Sequence, residues 1–215
     1  NPALFQASKN GASLTALFIN NPEKWADHNE SNLKIAFQIE HLKKLSEKFD
    51  ELNISLKVIH AEGTTDEIQK IIEFVKEKKI NEVFVNKEYG FNETQRDLNL
   101  EKDLKAYNKK LNIFDSSVFP PDSIKTQNDT FFKVFTPFSK AFRSKLVSKK
   151  IEVLGLPKKQ KNKIQNSDEI ENIVLSDKQK SILEQYLVGE DRALNQLRSF
   201  IDQKILEYKN NRDYP

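Results

Sequence analysis

The residues of this chain best placed to do chemistry lie in Glu82–Asp97, E-V-F-V-N-K-E-Y-G-F-N-E-T-Q-R-D. Val83, Phe84 and Val85 form a short apolar run bounded by polar residues, which predicts a strand. Asn86–Phe91 then reads as a loop pivoting on Gly90, with a helix directly behind it. Asn92 and Gln95 have capping-box spacing, and Glu93 falls where a helix N-terminus favours negative charge. The loop thus presents an amide and a carboxylate at a helix mouth beyond a strand end, where open α/β sheets take their ligands. Each residue also has a plainer role. Asn92 can serve as an N-cap worth about 1 kcal/mol, and Glu93 as compensation of the helix dipole worth about 0.3–1 kcal/mol.

Few other chemistries are available. His28, His41 and His60 are far apart, and none has metal-ligand spacing with a second His or Cys, so they read as surface or loop histidines. No G-x-x-x-x-G-K-[ST], G-x-G-x-x-G or G-x-S-x-G motif occurs, and five glycines are too scattered for a phosphate cradle. Chemistry of a parent protein would therefore be carried by a cofactor. Lys133–Lys163 holds ten Lys or Arg against the single acid Glu152. That run reads either as a phosphate-binding strip or, more simply, as a solvated helix face entering a charged linker. Phe131, Phe132, Phe135, Phe138 and Phe142 read as core, with Phe138 and Phe142 one helical turn apart.

The elements that position the loop alternate along the chain. Asn1-Pro2 opens a short helix to about Lys9, and Leu14–Ile19 is a continuous apolar strand. Ser31–Leu52 is a long amphipathic helix, followed by a strand at Ile54–Ile59. Thr64 and Glu67 form a second capping-box pattern before a helix to about Lys79, with Ile68, Ile72 and Val75 on its buried stripe. After Val83–Val85, a helix from Glu93 to about Lys110 uses Leu100, Leu104, Tyr107 and Leu111, and Asn112–Asp115 is a fourth strand. Such alternation means an α/β fold with a Rossmann-like doubly wound parallel sheet. Its first element is a helix without a strand before it, so the central first strand is expected before Asn1.

Beyond the sheet, Val118–Ser123 is a proline turn, and Thr136-Pro137 starts a helix within Phe131–Leu146. Gly155–Asn172 is lysine-rich and aperiodic, which predicts a mobile linker. Ser176 and Gln179 open a short helix, and Gly189 precedes an amphipathic helix from Glu190 to about Glu207. The resulting division is an α/β domain over 1–147, a linker over 148–175 and the first helices of an all-α domain over 176–215.

With 215 residues, 37% hydrophobic and 31% charged, the chain can bury a sizeable core. The net charge of +3 is too small to diagnose a nucleic-acid partner. The absence of cysteine excludes disulfides, thiolate metal sites and a cysteine nucleophile, and fits a cytoplasmic location. No apolar run approaches the roughly 18–20 residues of a membrane span, so no membrane partner is expected. The chain lacks methionine and begins on Asn1-Pro2, so a piece of a longer protein is expected.

Several ordered motifs resemble one family. Asn1-Pro2-Ala3-Leu4 is similar to the N-P-A-L of class I cyclobutane-pyrimidine-dimer DNA photolyases, of the photolyase/cryptochrome family. Lys34, Phe37, Leu42 and Leu45 are similar to K-x-x-F and L-x-x-L positions of that family's long second helix. Asn86–Asp97 resembles its antenna-loop motif, N-x-E-Y-x-x-N-E-x-x-R-D, with Gly90 departing where an acid is common. Pro120–Ser123 and Val134–Phe142 resemble P-P-x-S and V-F-T-P-F-x-x-x-F. Gly189-Glu190, Ala193, Leu197 and Phe200, then Tyr208 with Arg212-Asp213-Tyr214-Pro215, resemble the entry to the flavin domain. The resemblance covers nearly the whole chain outside Ser148–Val188.

The resemblance implies a deoxyribodipyrimidine photo-lyase that uses blue light and FAD to repair pyrimidine dimers in DNA, monomeric when full length. Asn92 and Glu93 would contact a methenyltetrahydrofolate antenna, and Tyr208 would contact FAD. Flavin-surrounding and lesion-reading residues would lie beyond Pro215, leaving no catalytic residue in this chain and the chain alone inactive. A cryptochrome-type receptor shares these motifs, a deazaflavin could replace the folate, and a stand-alone nucleotide-binding module is the third reading.

Overall fold

A computed structural model describes residues 1–9 and 13–213. In chain order they form α1 (Pro2–Lys9), β1 (Thr15–Asn20), α2 (Pro22–Asp27), α3 (Asn32–Glu51), β2 (Ser55–His60) and α4 (Gly63–Glu77). There follow β3 (Glu82–Asn86), α5 (Phe91–Ala106), β4 (Lys110–Phe114), α6 (Phe135–Ser148), α7 (Asp177–Leu183), α8 (Glu190–Gln203) and α9 (Tyr208–Asn211). The expected parallel α/β pattern is present as two two-stranded sheets, β1–β2 and β3–β4. Both are parallel, in register from Thr15↔Ser55 to Asn20↔His60 and from Glu82↔Lys110 to Asn86↔Phe114. Parallel neighbours need a long crossover, and α3 and α5 supply the two. The chain divides into two compact units, 1–12 with 68–159 and 13–67 with 160–215.

In the unit built on β1 and β2, α3 starts where Ser31 Oγ accepts the Lys34 N–H at 3.2 Å. Its apolar residues at spacings of three and four bury Ile35, Ile39, Leu42 and Phe49 beside the fully buried Ile54 and Leu56. Leu45, expected on that stripe, is 45% exposed. The helix α2 went unread in the sequence because six residues are too few to show a period. Asn21 starts it, accepting N–H bonds from Lys24 and Gly63, each at 3.2 Å, while its own amide donates to the Gly63 carbonyl at 3.1 Å. Gly63 has φ +74°, and a Cβ there would come within 3.0 Å of Glu23 Oε2. The Thr64–Glu67 capping box does not form: α4 begins at Gly63, Asp66 accepts the Glu62 N–H at 2.9 Å, and buried Glu67 lies 3.6 Å from Lys24 Nζ.

The lysine-rich stretch expected to be mobile is hydrogen bonded along β2. Gln160 donates its N–H to the Leu52 carbonyl and Asp168 donates to the Leu56 carbonyl, both at 2.8 Å. In return Ser167 Oγ accepts the Leu56 N–H at 3.1 Å and Asp168 Oδ2 the Val58 N–H at 3.0 Å. The segment satisfies the outer edge of β2, whose backbone groups would otherwise be open. Backbone pairing of this kind requires no apolar period, which is why the sequence showed none.

The unit built on β3 and β4 buries Ile68, Ile71, Ile72, Phe74 and Val75 of α4 with Leu100 and Leu104 of α5. Tyr107, expected on that stripe, is half exposed, with Lys76 Nζ 4.5 Å above its ring. Phe119, Phe138 and Phe142 pack edge-on and tilted, with centroids 5.3 and 6.0 Å apart. Phe131 and Phe135 are not core: they are 63% and 76% exposed. The helix expected to run from Glu190 to about Glu207 ends at Gln203, and a 3-10 turn over Ile205–Glu207 separates α8 from α9.

Candidate functional site

The loop Asn86–Gly90 lies at the C-terminal end of β3, and five side chains of its motif are used to hold it. Asn86 reaches back to α1. Its Oδ1 accepts the Ala3 N–H at 3.1 Å and its Nδ2 donates to Asn1 Oδ1 at 3.0 Å, while that same Asn1 oxygen accepts the Leu4 N–H at 3.0 Å. Two asparagines thereby cap one helix, because Pro2 has no N–H and Asn1 cannot serve both of the next two donors.

Glu88 pairs with Arg96 Nη2 at 2.8 Å, and the same guanidinium binds Asp97 Oδ1 through Nε at 2.9 Å and Nη2 at 2.8 Å. Asp97 is 6% exposed, so its charge requires that partner. The pair joins the loop to the second turn of α5. Tyr89 donates its hydroxyl to Asp115, just beyond β4, and Ser117 donates its N–H to the same carboxylate at 2.8 Å. The acceptor carboxylate in turn pushes the Tyr89 phenol above its ordinary pKa. Burial raises the Asp115 carboxyl, but the Ser117 and Tyr89 hydrogen bonds outweigh it and hold the group below its usual range.

Asn92 and Glu93 are the remainder. The helix α5 starts two residues earlier than expected: Gly90 is its N-cap, with φ −63° and ψ 150°, and its carbonyl accepts the Thr94 N–H at 2.9 Å. Asn92 is therefore the second helical residue, and the Asn92–Gln95 capping box does not form. A side chain on helical backbone inside the first turn is not the cap, which removes the plainer role for Asn92. The exposed Asn92 and half-buried Glu93 have no side-chain hydrogen bond or ion pair among the described residues. Glu93 remains an acid in the first turn, and its carboxylate folds back over Gly90: a Cβ built there would sit 2.0 Å from Glu93 Oε2. Glycine at this position is a matter of space, since its backbone angles suit any residue.

The third predicted residue stands elsewhere. Tyr208 is the first residue of α9, 53% exposed, with its ring edge-on to Phe200 at 5.8 Å. Arg212 lies 3.6 Å from Asp213, while Tyr214 and Pro215 of the same motif fall outside the described residues. The structure brings Asn92 and Glu93 together on the first turn of α5. Of the histidines, His28 and His60 are exposed, the latter 3.2 Å from Asn20 Nδ2. His41 is half-buried, edge-on to Phe37 at 4.5 Å. No cluster of three or more metal-ligating side chains occurs among the described residues.

A family model described as DNA photolyase matches residues 1–158. The chain belongs to the DNA photolyase family. Among curated proteins, a deoxyribodipyrimidine photo-lyase of Buchnera aphidicola is 31% identical over 220 residues, covering 100% of this chain and 45% of that protein. The chain thus spans less than half the length of this photolyase relative. Solved structures share the photolyase fold. A bacterial class III photolyase from Agrobacterium tumefaciens superposes with a TM-score of 0.78 at 20% identity, covering 100% of this chain and 44% of that one. A cryptochrome of Synechocystis gives 0.72 at 18% identity, covering 99% and 46%.

The residues that sequence reasoning passed over are the holders: Asn86, Glu88, Tyr89, Arg96, Asp97 and Asp115. Their signal was the density of polar side chains in a strand-to-helix turn. Such a turn has no sheet or helix ladder of its own and must be tied down by side chains.

Proposed function

We propose that this chain is part of a deoxyribodipyrimidine photo-lyase and that Asn92 and Glu93 hold its antenna chromophore. The α/β domain is 1–147, 148–175 joins the domains, and 176–215 begins a helical domain that holds FAD with Tyr208 among its contacts. The parent acts as a monomer in the cytoplasm on DNA carrying pyrimidine dimers. The second chromophore is 5,10-methenyltetrahydrofolate. No helix among the described residues is long and apolar enough to cross a membrane.

One observation carries the antenna reading. Asn86, Glu88, Tyr89 and Arg96 are all bonded within the protein, whereas the amide of Asn92 and the carboxylate of Glu93 have no partner among the described residues and are left to face a ligand. The pair suits a pterin. A carboxylate at a helix mouth accepts two coplanar N–H donors, and an amide beside it both donates and accepts. Charge-assisted bonds of this kind contribute about 1.5–3 kcal/mol, or roughly a ten- to hundredfold change in affinity.

The test is Glu93→Ala in the full-length protein. The folate's near-ultraviolet band should be lost on purification, while FAD content and dimer reversal by direct flavin excitation persist. Glu93→Gln should fall between, since it keeps one acceptor and adds an unwanted donor. Unchanged antenna absorbance in Glu93→Ala would end the assignment. A full-length protein that binds FAD yet reverses no dimers would be a receptor of the cryptochrome kind instead.

A further inference from the structure

The helix α6 and its flanks carry charge that is mostly without a partner among the described residues. Between Lys133 and Lys150 the chain has six Lys or Arg and no acid. Lys145 alone is engaged, donating to the Ser123 carbonyl at 2.5 Å with its ammonium 5.0 Å above the Phe119 ring. Lys133, Lys140, Arg143, Lys149 and Lys150 are exposed and have no side-chain hydrogen bond, ion pair or ring partner among the described residues. Elsewhere in this unit lysines find acids, as Lys105 does with Glu101 at 2.8 Å and Lys125 with Asp129 at 3.0 Å.

The arrangement on the helix is one-sided. Phe138, Phe142 and Lys145 turn inward, with Phe142 against Phe119. At 100° per residue, Thr136, Lys140, Arg143 and Val147 fall on the opposite side, and Val147 is 89% exposed. Phe131 and Phe135, 63% and 76% exposed, flank Lys133 at the start of this surface. A solvated helix face of the ordinary kind alternates both signs of charge. This one has a single sign over 18 residues.

We propose that the outer face of α6, with Lys133, Lys149 and Lys150 at its ends, binds the phosphate backbone of duplex DNA without regard to lesion or sequence. The occupant is DNA because the surface is cationic and the family is one of DNA photolyases. Paired phosphates along a groove edge match cations spaced by helical turns, and unpaired lysines give up only counterions and water when they bind. The face includes neither Asn92 nor Glu93, so the contact stands whether or not the antenna reading holds.

The experiment measures binding of a fluorescein-labelled, undamaged 20-base-pair duplex in the dark, by anisotropy, from 50 to 300 mM salt. It compares the full-length protein with its Lys140→Gln/Arg143→Gln variant. Both positions are exposed and unpartnered, and circular dichroism verifies the fold of the variant. The wild-type protein should bind with affinity falling steeply with salt. The double variant should bind several-fold more weakly at 50 mM, with a log–log salt slope shallower by about 1.8, from about 0.9 per lost phosphate contact. A control variant, Lys102→Gln/Lys105→Gln on α5, removes the same charge elsewhere and should leave the slope unchanged. An equal drop in both variants would reduce the effect to net charge and overturn the proposal. So would an unchanged slope in the α6 variant, no duplex binding at 50 mM, or binding only to vesicles of anionic lipid.

Discussion

Replacing Asn86 by alanine tests the claim that this side chain is a second cap for α1. Its Oδ1 accepts the Ala3 N–H at 3.1 Å, with no second acceptor among the described residues, and Ala3 is 5% exposed. Truncation removes a cap worth about 1 kcal/mol. It also leaves a donor in a poorly hydrated place, which costs about 1–3 kcal/mol. The two descriptions overlap, so the expected loss is about 2 kcal/mol. For a chain of this size, a midpoint shift of about 2–4 °C per kcal/mol gives a fall of about 4–8 °C.

Asn86→Asp separates the parts. Aspartate keeps the acceptor for Ala3 and places negative charge at a helix N-terminus, but loses the donor to Asn1 Oδ1, which stands 3.0 Å away. It should recover about half of the loss. Urea and thermal unfolding followed by circular dichroism give the stabilities, and amide exchange at Ala3 reports the cap itself. An Asn86→Ala protein within about 0.5 kcal/mol of wild type, or an aspartate variant no better than alanine, would refute the two-asparagine cap.

Other outcomes follow from the same contacts. Arg96→Met leaves the Asp97 carboxylate, 6% exposed, without its partner, and should cost about 3 kcal/mol; adding Asp97→Leu should recover much of it, and additive losses would argue against a buried pair. Gly90→Ala should change stability by less than about 0.5 kcal/mol, because the clash is with the flexible end of Glu93; a loss above about 2 kcal/mol would mean the backbone is constrained instead. Hydrogen bonds from Lys163 and then Ser167 hold the Asp50 carboxyl below its ordinary 3.8. A carboxyl lowered in the folded state stabilises above its unfolded pKa and loses that contribution as pH falls through the folded value. The strap 160–168 should therefore become sensitive to an acid-tolerant protease below about pH 4, and Asp50→Asn should show that sensitivity already at neutral pH. Equal cleavage of wild type and variant at neutral pH would count against it.

Much of this protein was determined by its sequence alone. Hydrophobic spacing located the four strands and the long helices between them, though not the six-residue α2, because burial of one face imposes a period on the chain. The motif N-x-E-Y-x-x-N-E-x-x-R-D marked one loop and singled out Asn92 and Glu93. What each polar residue does there depended on the fold. The capping roles assigned to Asn92 and Thr64 fell to Gly90 as the α5 N-cap and to Asp66, because a cap is decided by which carbonyl starts the ladder. The expected parallel α/β pattern is present as two parallel pairs, whose partners only the fold identifies, since pairing joins strands remote in sequence. The stretch read as a mobile linker proved to be hydrogen bonded along β2, through bonds to main chain that leave no periodic trace. Tertiary structure alone showed that Asn86 caps a helix 83 residues earlier and that Tyr89 is held by Asp115. Such bonds depend on distances in space that spacing along the chain does not encode. They consume neighbouring side chains, while Asn92 and Glu93 have no side-chain partner among the described residues.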